Sequence, residues 1–186
     1  MPHIQLPEGL PGISSALAFR PDVAKPMRAL AEVLLRGPST LTSGEREMIG
    51  AFVSARNDCY FCHASHRAAA AHQLGGDYGL VDALSGDYQN APVSAKLKAL
   101  LTIAASVQRG GKNVTTDEIE QARKEGATDL EIHDTVLIAA AFCMYNRYVD
   151  GLATFTPKDE KLYDEMGSHM AKDGYARASE PAEAGR

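Results

Sequence analysis

Three times along this chain a threonine is followed, three positions later, by glutamate at the head of a segment with apolar residues at helical spacing. The pairs are Thr42/Glu45, Thr115/Glu118 and Thr128/Glu131. In such a capping box the threonine hydroxyl accepts the amide hydrogen of the third helical residue, and the carboxylate accepts the threonine amide in return. Two donors that the helix cannot satisfy itself are satisfied, so the pattern marks helix starts. No segment alternates apolar and polar residues as a half-buried strand would. An all-α fold is expected.

The remaining helices follow from spacing and breakers. Residues 13–19 predict one short helix. Asp22 is the expected cap of a second, with Leu30, Val33, Leu34 and Leu35 inward and Gly37-Pro38 as its stop. The helix after Thr42 places Met48, Ile49, Phe52 and Val53 in the core. The next runs over 58–74 and stops at Gly75-Gly76, its alanine run 68–71 suited to close packing. Residues 77–94, with Gly79, Gly86, Asn90 and Pro92, read as a connector. Ser94 heads a helix over 95–108 with Leu97, Leu100, Leu101, Ile103 and Ala104 inward. Thr115 heads a short one to 125. Thr128 heads a helix over 129–148 that is apolar all round between 136 and 145, which suits the core or a subunit interface. Cys143 on it reads as a small buried hydrophobe. Thr156-Pro157 is expected to open a last helix, reaching about residue 172. Residues 1–12 form an extended arm and 176–186 a disordered tail, leaving 13–175 as one helical domain.

Composition excludes several functions. A net charge of −5 argues against nucleic-acid binding. No apolar run is long enough to span a membrane. The N-terminal stretch has neither the basic start nor the apolar centre of a secretory signal. Three cysteines without such a signal suggest a reducing, cytoplasmic compartment, where a close pair points to chemistry more than to a structural bridge.

That pair lies in the most reactive stretch of the chain, 47–66, which holds Glu47, Cys59, Cys62, His63 and His66. On a helical wheel with Cys59 at zero, Cys62, His63 and His66 fall at about −60°, +40° and −20°. Glu47 is about 18 Å away along one continuous helix. It can join them only if the chain turns, and Asn57-Asp58 is the place for a turn. A helix starting there would set Cys59 in its first turn, where the helix dipole favours a thiolate. Glu45 and Glu47 could equally serve only that dipole at the start of their own helix.

Three chemistries use such residues. Cys59-x-x-Cys62-His63 has the form of a c-type haem attachment site. Two cysteines with one or two histidines are zinc ligand types, although all lie on one helical face where a closed site draws on two elements. A dithiol whose thiolate is activated by His66, itself oriented by Glu47, suits redox chemistry. A thiol of ordinary pKa is roughly 3% ionised at pH 7, and lowering that pKa to about 6.5 raises the fraction to roughly three-quarters.

Glu47, Cys59, Cys62 and His66 match, in order and spacing, a motif of the alkyl hydroperoxidase D-like (AhpD-like) proteins. The stretches 41–47, 53–57 and 142–151 add to the likeness. Over about residues 13–175 the chain resembles the peroxidase-related branch of the carboxymuconolactone decarboxylase superfamily. The resemblance implies an AhpD-like helical fold, with the helix pair that carries Cys-x-x-Cys packed against the apolar helix of the C-terminal half. It implies a thiol peroxidase without haem, flavin or metal, built as a dimer, trimer or hexamer. In that scheme Cys62 attacks an alkyl hydroperoxide or hydrogen peroxide, and Cys59 closes a disulfide. His66 and Glu47 relay the proton, and a lipoyl- or thioredoxin-like dithiol protein restores the pair. The sequence departs from the family at Phe61, where a second histidine is usual, and His63 is the candidate substitute. A different reading keeps the cysteine pair but not turnover, as an oligomeric redox sensor or interaction protein. Asn146, Arg147 and Asp150 are candidates to orient the site or a subunit contact, against a purely structural hydrogen-bond network. His133 reads as a surface or interface residue, and His3, His72 and His169 have no partner identifiable from sequence.

Overall fold

The computed structural model describes residues 1–175, and the expected tail 176–186 lies outside the described residues. The described residues form nine α-helices and no strand. They are α1 (Ile13–Phe19), α2 (Pro21–Arg36), α3 (Ser43–Arg56), α4 (Tyr60–Gln73), α5 (Tyr78–Asp87), α6 (Ala95–Arg109), α7 (Thr116–Lys124), α8 (Asp129–Gly151) and α9 (Glu160–Asp173). None is long and apolar enough to cross a membrane. Residues 1–12 hold no helix and are tied down by His3 N–H to the Leu152 carbonyl, 3.0 Å, and Gly12 N–H to the Phe155 carbonyl, 2.8 Å.

All three capping boxes form in both directions. At the first, the Glu45 amide donates to the Thr42 hydroxyl at 3.1 Å and the Thr42 amide to the Glu45 carboxylate at 2.8 Å. Each such cap contributes about 1 kcal/mol. The helices they start supply the core. Met48, Ile49, Phe52 and Val53 of α3 and Leu97, Leu100, Leu101, Ile103 and Ala104 of α6 are buried, with Ile138, Ala139 and Phe142 of α8 between them. Helix α8 is not buried all round. Leu130, Leu137 and Met144, seven apart, form an exposed apolar stripe along it.

Several boundaries differ from the sequence reading. The expected connector 77–94 contains α5, capped by the Asp77 carboxylate on the Leu80 amide at 2.9 Å, with Val81 and Leu84 buried three apart. Gly79 and Gly86 suggested a loop, but a helix tolerates isolated glycine at about 1 kcal/mol each. Helix α2 starts at Pro21, whose fixed φ and missing N–H suit a first helical residue. Asp22 is therefore in the first turn, paired with Arg20 at 3.2 Å, and is not the cap. Val33 is 66% exposed, because it lies about 100° round the helix from buried Leu34. Helix α9 starts late, at Glu160, because Asp159 rather than Thr156-Pro157 caps it. The Pro157 carbonyl instead accepts the Tyr163 hydroxyl at 2.8 Å.

Candidate functional site

Helices α3 and α4 are joined by a tight reversal in which Asp58 adopts φ 57°, the left-handed conformation that Asp tolerates better than most residues. The two helices then run antiparallel, and three contacts measure the pairing. The Cys59 amide donates to the Ser54 carbonyl at 3.0 Å, His63 Nδ1 meets the Ala51 carbonyl at 3.1 Å, and His66 Nδ1 meets Glu47 Oε2 at 2.8 Å. Residues nineteen apart in sequence thus become partners. Glu47 is 1% exposed, so a group read as a possible dipole partner is instead a buried carboxylate held by specific donors.

Helix α4 begins at Tyr60, not at 58, which corrects the position of both thiols. Cys59 is the residue just before the helix, and Cys62 is the one in the first turn, where the helix dipole favours negative charge. The Cys59 thiol donates to the Cys62 sulfur. That bond is the main force holding the Cys62 pKa below the ordinary thiol range, and His66 and the Asn146 amide add to it against the effect of burial. The same bond, followed by burial, pushes the Cys59 thiol far up. Of the two buried thiols, Cys62 is the one poised to ionise.

Helix α8 supplies one wall, with a contributing residue every turn. The Phe142 ring packs edge-on against His66 at 4.5 Å. Its approach needs Gly50 on α3, since a Cβ there would collide with the ring. Asn146 is buried. It donates to the Ser54 hydroxyl at 3.0 Å, accepts from the Asn57 amide at 2.7 Å, and is hydrogen-bonded to Cys62. Asp150 is hydrogen-bonded to Cys59, and burial raises its pKa. Arg147 turns away and donates to its own helix at the Cys143 carbonyl, 3.0 Å. Cys143 is buried, as expected of a small hydrophobe.

Tyr175 was not among the residues singled out from sequence. It follows α9, and its hydroxyl donates to Glu47 Oε1 at 2.5 Å while its ring stacks on His66, 6.0 Å apart and 17° from parallel. Nothing local in the sequence announces it. Cys62, His66 and Tyr175 face a cavity of about 620 Å³ whose other walls include Leu17, Met27, Phe142 and Met166. His63 is not brought to this cavity. It lines a second one, of about 470 Å³, with Tyr60, Arg67 and Tyr163.

Among the described residues no group of three His, Cys, Asp or Glu side chains is arranged to hold a metal ion. Three of the other histidines have acidic neighbours. His72, for which the sequence identified no partner, meets Asp164 at 2.9 Å, and His169 meets Asp173 at 3.4 Å. His133 is on the surface beside Asp134.

A peroxidase-related protein from Silicibacter sp. TM1040, described as uncharacterized, is 31% identical, with a TM-score of 0.73 over 83% of this chain and 78% of its own. A second, from Ralstonia eutropha JMP134 and described as an alkylhydroperoxidase AhpD core, is 30% identical, with a TM-score of 0.75 over 86% and 82%. The carboxymuconolactone decarboxylase family matches residues 78–156. The chain belongs to the AhpD-like proteins of that superfamily. The family match covers α5 to α8 and lies beyond Cys59 and Cys62, so the dithiol rests on the geometry above. An AhpD-related protein from Agrobacterium tumefaciens, 21% identical with a TM-score of 0.68 over 77% of this chain and 97% of its own, shares the fold. No curated protein matches the chain.

Proposed function

We propose that this AhpD-like protein is a cofactor-free thiol peroxidase. The observation that carries the reading is the asymmetric thiol pair. Cys59 holds the Cys62 pKa below the ordinary thiol range, and Cys62 faces a largely apolar cavity beside a His66–Glu47 pair. In this scheme the Cys62 proton passes to His66. The Cys62 thiolate attacks the outer peroxide oxygen, the O–O bond breaks, and the alkoxide takes that proton to leave as an alcohol. Cys62 is then a sulfenic acid. The Cys59 sulfur displaces the hydroxyl, and the Cys59 proton leaves with it as water. The disulfide that results is reopened by two electrons from a lipoyl- or thioredoxin-like dithiol protein.

The size and apolar walls of the cavity favour an organic hydroperoxide over hydrogen peroxide. The free thiols suit a cytoplasmic location, and the exposed stripe Leu130, Leu137 and Met144 suits self-association. Intact mass after alkylation tests the reading. With one equivalent of cumene hydroperoxide, wild type should lose both site thiols, Cys59→Ser should trap a sulfenic acid, and Cys62→Ser should stay reduced. A wild type that keeps its thiols at equimolar peroxide ends the peroxidase assignment.

A further inference from the structure

Glu47 is 1% exposed and carries two carboxylate oxygens that water does not reach freely. One oxygen is taken by His66 at 2.8 Å and the other by the Tyr175 hydroxyl at 2.5 Å. A buried carboxylate keeps its charge only while such donors replace water. Take one away and a buried oxygen is left unpaired and the carboxylate is free to turn, so the His66 imidazole that it orients loses its fixed place. Cys62 then loses the fixed position of a neighbour that helps to hold its pKa below the ordinary thiol range.

Tyr175 is not placed there by helix geometry alone. The chain leaves α9 at Gly174 in a left-handed conformation, φ 72°, and turns back on itself. A Cβ at Gly174 would lie 2.5 Å from the Glu32 carboxylate, which itself accepts the Tyr175 amide at 2.6 Å. A glycine turn and a backbone anchor thus deliver one phenol to one oxygen atom.

We propose that Tyr175 is a positioning residue of the dithiol site, holding Glu47 aligned on His66 so that the imidazole serves Cys62. The inference rests on Cys62 being the reactive thiol. Burial, with the charge of Glu47 second, pushes the Tyr175 phenol well above its usual range, so it remains a donor wherever the site works. It also means that the segment after α9 must be docked for the site to be complete.

The test is the pH profile of Cys62 alkylation by iodoacetamide, resolved by peptide, in the reduced full chain. Tyr175→Phe keeps the ring and removes only the donor. Its midpoint should rise by about one pH unit, the scale of a lost hydrogen bond to a buried charge. If Tyr175 acts through Glu47, the double variant with Glu47→Gln should show no more shift than Glu47→Gln alone. An unchanged midpoint in Tyr175→Phe, or shifts that add in full, would overturn the proposal. Alkylation uses no peroxide, so a protein inert to cumene hydroperoxide would lose the peroxidase reading without touching this one.

Discussion

Two of the three histidines on helix α4, His63 and His66, stand three residues apart and reach two different cavities. His66 enters the apolar one, between Glu47, Tyr175 and the Phe142 ring. His63 enters the polar one, bonded to the Ala51 carbonyl, with Arg67, Tyr78 and Asp164 among its neighbours on the wall. The residue type and helix are shared, so the difference comes from what packs against each face. A buried carboxylate fixes the orientation of one imidazole. A backbone carbonyl makes the other a satisfied packing residue. Helix α9 runs between the cavities, giving Tyr163 and Asp164 to one and Met166 and Met170 to the other.

The comparison breaks most visibly at His66. In His66→Ala, Cys62 keeps the Cys59 donor and the helix dipole but loses its base and its positive neighbour. Its pKa should rise part of the way towards the ordinary thiol value, so Cys62 alkylation at pH 7 should slow by roughly threefold to tenfold. The rate should recover as pH rises towards 9, because hydroxide then does what the imidazole did. A variant that alkylates at the wild-type rate at pH 7 would remove His66 from the site.

The seam between the cavities gives the next largest effect, on stability. Gly167 of α9 lies against α4 so closely that an added Cβ would be 2.5 Å from the Ala68 Cβ and 2.7 Å from the Ala69 nitrogen. Backbone cannot yield as a flexible side chain can, so Gly167→Ala should cost about 1–3 kcal/mol by overpacking. That corresponds to a Tm lower by roughly 2–10 °C for a chain of this size. Tyr175 is attached to the displaced end of α9, and so the apolar face should suffer more than the polar one. Cys62 alkylation should slow in this variant while the His63 environment, followed by its NMR ring resonances, stays near wild type. Equal disturbance on both sides would mean that α9 does not divide them.

Much of this was legible in the sequence because it is local. Capping boxes, the stops at Gly37, Gly75 and Gly110, and the spacing of Leu97 to Ala104 are each settled within a few residues, and the helices formed where they pointed. The Glu47–His66 pair was legible too, since one turn at Asn57-Asp58 suffices to bring them together. The position of Cys59 was less so, because wheel angles apply only inside a helix and Cys59 is outside α4. One helical face did not mean one site for His63 and His66 either, because α9 packs across that face and divides it. Tyr175 was out of reach. Its contact with Glu47 spans 128 residues and depends on how α9 lies across α4, which no short pattern encodes. Asn146 and Asp150 were picked out as candidates, but which of them reaches which sulfur follows only from the register of α8 on the hairpin.

The smallest effect is expected at His63, and it sharpens the comparison by what fails to change. His63→Gln retains an amide that can donate to the Ala51 carbonyl, so Cys62 alkylation at pH 7 should stay within about twofold of wild type, as for other replacements away from the reacting atoms. A loss as large as that of His66→Ala would place both histidines in one relay. A pH signature should nevertheless appear in stability. Burial, with Arg67 adding, holds the His63 pKa below the usual imidazole range, although Asp82 pulls the other way. The unfolded chain therefore binds a proton at this residue at higher pH than the folded chain does. Above the unfolded value, about 6.5, neither state is protonated and the residue costs nothing. As pH falls below it, the unfolded state takes the proton first and folding stability declines until the folded pKa is passed. Denaturant melts of wild type between pH 7 and pH 5 should show that decline, and His63→Gln should show a shallower one. Parallel slopes in the two proteins would mean that His63 is solvated well enough to titrate alike in both states, and the polar cavity would then be no enclosure at all.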